Sequence, residues 1–177
     1  MRADAQRNLA RVLEAAERVL ARDGLSASMR AVAAEAGVGV GTIYRQFPTK
    51  EALYRAIVHD RQDRLAARAA ELAGAADAGA AFFEFFTRIV ADATTKKVFV
   101  DALTGAGIDA KQGAPDLRGP IERLLVNAQD QDAVRRDVAM PEILALLSAT
   151  CLAAQHNHWD EALRTRTLEI VFAGLRP

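Results

Sequence analysis

Residues 28–47, SMRAVAAEAGVGVGTIYRQF, decide how the rest of the chain is read. Ser28 is a good N-cap for a short helix over 29–36, with Met29, Val32, Ala33 and Ala36 on its inner side. Gly37 closes that helix, Gly37-Val38-Gly39 makes a tight turn, and a second short helix follows over 40–47. This is the helix-turn-helix layout, whose second helix lies in the DNA major groove. Many helical hairpins share the spacing, so spacing alone leaves plain packing open as well.

Outward from that stretch the chain reads as all-α. Alanine is abundant, prolines number 5, and no segment alternates polar and apolar residues between turn signals. Leu9, Val12, Leu13, Ala16, Val19 and Leu20 recur every three or four residues, which predicts a helix over 4–22 ended by Asp23-Gly24. Pro48-Thr49 breaks the chain again, and Thr49 caps a helix over 50–72. A small, Gly-containing boundary at 73–79 precedes helices over 80–93 and 95–105. The stretch 106–116, broken by Gly107, Gly113 and Pro115, reads as a surface loop. Helices over 117–131, 141–157 and 160–175 complete the chain, with Pro141 suited to a first helical position.

Composition narrows the function classes. At 177 residues and 51% hydrophobic content there is ample apolar material for one domain or two small ones. A single cysteine, Cys151, excludes an internal disulfide framework and a Cys-cluster metal site. No apolar run is long enough to span a membrane and no secretory signal opens the sequence, so the expected location is cytoplasmic. The net charge of +0 divides unevenly: residues 1–72 hold 12 Lys+Arg against 9 Asp+Glu, a net +3, and residues 73–177 hold 11 against 14, a net −3. A mildly basic N-terminal part on an acidic remainder is the asymmetry expected if only the former meets phosphate.

Residues 7–57 resemble the DNA-binding domain of TetR-family transcriptional repressors. The resemblance is carried by Arg11-Val12-Leu13-Glu14-Ala15-Ala16, by Ala36-Gly37-Val38, by Gly41-Thr42-Ile43-Tyr44, and by the FPTKEAL string at 47–53. It implies a three-helix DNA-binding head at 1–49, a linking helix at 50–72, and a helical-bundle domain for ligand binding and dimerisation at 73–177. It further implies that Ser28, Thr42, Tyr44, Gln46 and Lys50 hydrogen-bond the phosphate backbone, for which hydroxyls, helix N-termini and a lysine are suitable donors. Ser28 can act as a helix cap alone, and Lys50 can be a solvated helix start. Gly39, Val40 and Gly41 would lie near the bases, with Arg45 on the same exposed side and Arg30 at the groove edge. Val40 can touch a thymine methyl, the glycines read nothing themselves, and Arg45 is the best candidate to read guanine. For either arginine a plain phosphate contact is an equal alternative. So side-chain-poor a recognition helix suggests that specificity rests partly on DNA shape.

The remaining two thirds are less diagnostic. The run 124–147, LLVNAQDQDAVRRDVAMPEILALL, is similar to the L-L-x-x-A-x-x-x-G-x-V-R-x-D-V pattern of one C-terminal subgroup, with Asp132 where that subgroup has glycine. Apolar residues of the last two helices occupy more than one face, and a helix buried on two sides needs a second partner. Ile143, Leu147, Leu152, Leu163, Ile170 and Val171 are therefore the expected dimer contacts, with filling of one chain's own core as the alternative. For a ligand pocket the expected lining is Phe82, Phe86, Phe99, Cys151, Gln155, His158 and Trp159, which suggests a hydrophobic or aromatic effector.

No catalytic or cofactor constellation is present in the sequence. His156 and His158 are two apart and point to different helix faces, and Cys151 is five residues from His156. Neither a phosphate-binding Gly-rich loop nor an H-E-x-x-H string occurs. No metal, cofactor or enzyme activity is expected. The resemblance implies a homodimer on an inverted-repeat, double-stranded DNA operator, released when a ligand shifts the 50–72 helix. The rival is a helical small-molecule-binding or interaction module without DNA function.

Overall fold

The computed structural model describes the backbone of residues 2–105 and 116–177, and their side chains except those of 2–6, 25, 94–103 and 105. Among the described residues there are eight α-helices and no strand. They are α1 (Arg2–Asp23), α2 (Met29–Ala36), α3 (Val40–Gln46), α4 (Lys50–Leu72), α5 (Ala78–Gly105), α6 (Arg118–Asp130), α7 (Met140–His156) and α8 (Glu161–Leu175), with a 3-10 turn at Gly24–Ser26.

Local chemistry sets most of these limits. Ser28 Oγ accepts the Ala31 N–H at 3.1 Å, so α2 starts at Met29. Gly37 stops it in the left-handed region at φ 65°, its N–H reaching the Ala34 carbonyl while Val38 N–H reaches that of Ala33. That pair of bonds is a Schellman stop, which favours glycine at this position. Thr49 Oγ1 accepts from Ala52 N at 3.2 Å and opens α4. Asp160 Oδ1 does the same for α8 through Leu163 N at 2.7 Å.

Helix α5 departs from expectation in two ways. Asp77 Oδ1 accepts from Ala80 N at 2.8 Å, and this cap moves the start back to Ala78. The break expected near Thr94-Thr95 is absent, because no Gly or Pro stands between Ala80 and Val100 to interrupt the backbone bonds. The loop expected at 106–116 falls almost wholly outside the described residues.

The chain divides into two compact units, the first containing residues Met1–Gln62 and the end of α5 from Val98, and the second Asp63–Lys97 with α6, α7 and α8. The division therefore falls inside α4 rather than at either of its ends. In the first unit, Val12, Ala16 and Val19 of α1, Val32 of α2, Ile43 of α3 and Leu53, Ile57 and Val58 of α4 form one core. In the second, Leu65, Ala69 and Leu72 of α4 join Phe82, Phe85, Phe86, Leu124, Ile143, Leu168 and Phe172. Phe83 alone of the four clustered phenylalanines stays partly exposed, with its ring 4.6 Å from Phe172 and the Arg176 guanidinium 4.9 Å above it. Gly79 is required at the start of α5: a Cβ there would meet Ala133 Cβ at 2.5 Å.

Candidate nucleic-acid interface

Helix α3 is held by Ile43, fully buried, and by Phe47 just after it. These side chains turn the rest of the helix outward. Val40 (38% exposed) and Tyr44 (51%) form one i, i+4 row, and Gly41 and Arg45 form another. Gln46 is exposed and Thr42 half-buried. Arg30 projects from α2 into solvent. Lys50, half-buried, begins α4 beside Thr49.

These side chains have few internal commitments. Arg30, Tyr44, Arg45 and Gln46 make no hydrogen bond or ion pair to another described residue, whereas neighbouring arginines are paired. Arg18 meets Glu35 at 2.9 Å, Arg22 meets Asp23 at 2.7 Å, and Arg61 meets Glu17 at 2.8 Å. An unpaired guanidinium in water is ready to bond a phosphate or a base edge without first giving up a partner. Ser28 is committed, since its hydroxyl oxygen is the cap of α2, although it stays exposed with its O–H available to donate. At the start of α4 the Glu51 carboxyl lies below its usual range, first through its own backbone N–H, then through the Thr49 hydroxyl, with the Lys50 charge adding to both.

The backbone explains one glycine in this region and not two others. Gly37 needs its left-handed φ. A Cβ at Gly39 would meet nothing nearer than Thr42 Oγ1 at 4.0 Å, and one at Gly41 would meet nothing within 4 Å. Arg55, exposed on α4 and also without a partner among the described residues, belongs to no motif of the sequence.

The expected ligand set is not assembled in one place. Phe82 and Phe86 line an apolar space with Phe85, Ile89, Ile121, Leu124, Ile143 and Leu147, and that space is too tight for a water molecule. Cys151, Gln155, His158 and Trp159 do not line it. The Cys151 thiol lies 3.9 Å from the Ile89 carbonyl and Gln155 Nε2 donates to the Ala93 carbonyl at 3.0 Å, so both tie α7 to α5. His158 is exposed at φ 49° in the α7–α8 turn, Trp159 packs against the core, and the Phe99 side chain lies outside the described residues.

The expected dimer set also divides. Ile143 and Leu147 are buried in their own unit at 0% and 6% exposure and have no surface to offer a second chain, because the inward face of α7 spends them on the core. Val171 is half-buried against the same core. Leu152 (67%), Leu163 (49%) and Ile170 (75%) are in solvent, and Leu163 and Ile170 edge a shallow groove on α8 with Asp160, Ala162, Arg166 and Thr167. Among the described residues no three His, Cys, Asp or Glu could hold a metal ion, and no helix is long and apolar enough to cross a membrane.

Comparison with known proteins accords with this geometry. Residues 12–57 match the family model of bacterial regulatory proteins of the tetR family, and residues 77–177 match that of the C-terminal domain of SbtR-like transcriptional regulators. Across 99% of both chains the fold matches that of a TetR transcription regulatory protein from Mycobacterium vanbaalenii, at 38% identity and a TM-score of 0.82. The TetR transcriptional regulator SCO0520 from Streptomyces coelicolor matches over 96% of this chain and 98% of its own, at 30% identity and a TM-score of 0.74. The HTH-type transcriptional regulator UidR of Escherichia coli is 39% identical over 69 residues, which are 38% of this chain but only 35% of UidR.

Proposed function

The chain belongs to the TetR family of bacterial transcriptional regulators, and on that premise we propose that it is a DNA-binding repressor rather than an enzyme, acting as a homodimer and released by a small effector. The observation that carries this reading is α3: one buried anchor, Ile43, and an outward face of Val40, Gly41, Tyr44, Arg45 and Gln46 whose polar groups have no partner within the described residues. Tyr44, Thr42, Gln46, Lys50 and Ser28 hold the phosphates, Arg45 and Val40 face the bases, and Arg30 reaches the groove edge.

One head offers too small a contact for a specific site, so two copies are required. Leu152, Leu163 and Ile170 supply the contact between them, and an inverted-repeat operator follows from the two-fold symmetry. The effector is hydrophobic or aromatic, the class suited to the phenylalanine-rich second unit, and since the space among Phe82, Phe86, Ile121 and Leu124 is too tight for water, its entry there has to part the helices that close it. The protein works in the cytoplasm, with the DNA.

Selection from a random-sequence duplex pool by the full chain tests the reading. The enriched duplexes are expected to carry two inverted half-sites separated by roughly one helical turn or a multiple of it. Enrichment of nothing above the starting pool would leave a helical binding module without DNA function.

A further inference from the structure

Helix α4 buries one stripe along its length, and that stripe changes character once. Leu53, Tyr54, Ile57 and Val58 close the core of the first unit, and Leu65, Ala69 and Leu72 enter that of the second. Between them stand six polar residues in succession, His59-Asp60-Arg61-Gln62-Asp63-Arg64. At the three- and four-residue spacing of the stripe, Arg61 and Gln62 take the places where apolar side chains would continue it. Both are withdrawn from water: Gln62 is 8% exposed and the Arg61 side chain 12%. Arg61 Nη2 donates to Glu17 Oε2 of α1 at 2.8 Å, and the Glu17 side chain is only 18% exposed.

Holding two opposite charges there is a poor way to stabilise the first unit. Their desolvation offsets much of their attraction, and apolar residues of similar volume often serve equally well. What the pair supplies is direction. Leucine and isoleucine faces pack in several nearby rotations, whereas a charge-assisted hydrogen bond between two fixed groups admits far fewer. We propose that Arg61 and Glu17 are positioning residues for operator binding. The pair fixes the rotation of α4 on α1, and with it the angle at which α3, seated on the same core, leaves the helix that joins the two units. Two copies must place α3 in major-groove segments about 34 Å apart, so an error in that angle weakens the specific complex. Non-specific phosphate contacts tolerate the same error.

This inference rests on the DNA-binding reading and is tested on the full chain with a duplex selected from a random pool and a scrambled duplex of the same composition. Arg61→Met is expected to weaken the selected duplex about tenfold and the scrambled one less than about twofold, and the exchanged pair Glu17→Arg/Arg61→Glu to recover most of the loss. A folded Arg61→Met chain with wild-type selectivity overturns the proposal, as does a folded exchanged pair that binds no better than the single variant. Loss of the folded state in both, followed by thermal denaturation, shows a structural pair and overturns it too. A wild-type chain that never separates the two duplexes instead brings down the reading beneath it.

Discussion

Helix α3 in the first unit and helix α8 in the second both hold apolar side chains in water, in different company. On α3, Val40 and Tyr44 stand among Gly41, Arg45 and Gln46, none of them bonded to a described carboxylate. On α8, Leu163 and Ile170 flank a shallow groove, and Leu152 of α7 is as open as they are. On the proposed reading each of these exposed apolar surfaces meets a partner, and the neighbours say which kind. Small apolar groups among unpaired donors suit a charged polymer with methyl groups in its groove; long aliphatic groups on two consecutive helices suit a second copy of the same surface.

That contrast can be broken from either side. The largest effect is expected at α8. Ile170→Glu places a charge in the proposed dimer contact, so sedimentation should show monomers, and affinity for a two-half-site duplex should fall by roughly a hundredfold or more through lost avidity. A variant that stays dimeric and binds as before would show that Ile170 faces no second chain. Arg45→Ala comes next, with an expected loss of about 1–3 kcal/mol and relaxed preference at one base pair of each half-site. An equal loss on every sequence would make Arg45 a phosphate contact.

The smallest effect belongs to the turn that follows α6. Asp132, where the related C-terminal pattern has glycine, lies in the left-handed region at φ 54° and bonds Arg136 at 3.2 Å. Asp132→Gly relieves the backbone but loses an exposed ion pair, so chemical denaturation should show a gain of no more than about 1 kcal/mol.

Much of the head was legible because its signals are local. The limits of α2 and the start of α4 follow from Ser28, Gly37, Pro48 and Thr49, each acting within four residues of itself. The exposed face of α3 was equally readable, since one buried residue in so short a helix leaves the others outward. In the second unit the signals are spatial. Periodicity shows that α7 and α8 have two apolar faces, but which face meets the core depends on α5 and α6, so periodicity alone groups Ile143 and Leu147 with Leu152 and Ile170. Cys151 and Gln155 read as pocket polar groups for the same reason. Nothing in the sequence says that the Ile89 and Ala93 carbonyls lie within their reach. The break expected between 93 and 95 does not form, since no Gly or Pro from Ala80 to Val100 interrupts the helix.

The most direct test of DNA binding by α3 and the start of α4 is the salt dependence of affinity for the selected duplex, measured by fluorescence anisotropy for wild type and Lys50→Ala. Affinity should fall linearly on logarithmic axes as salt rises, and the variant should bind more weakly with a slope shallower by about one unit. A wild-type affinity indifferent to salt, or a Lys50→Ala line that overlies it, would contradict the account.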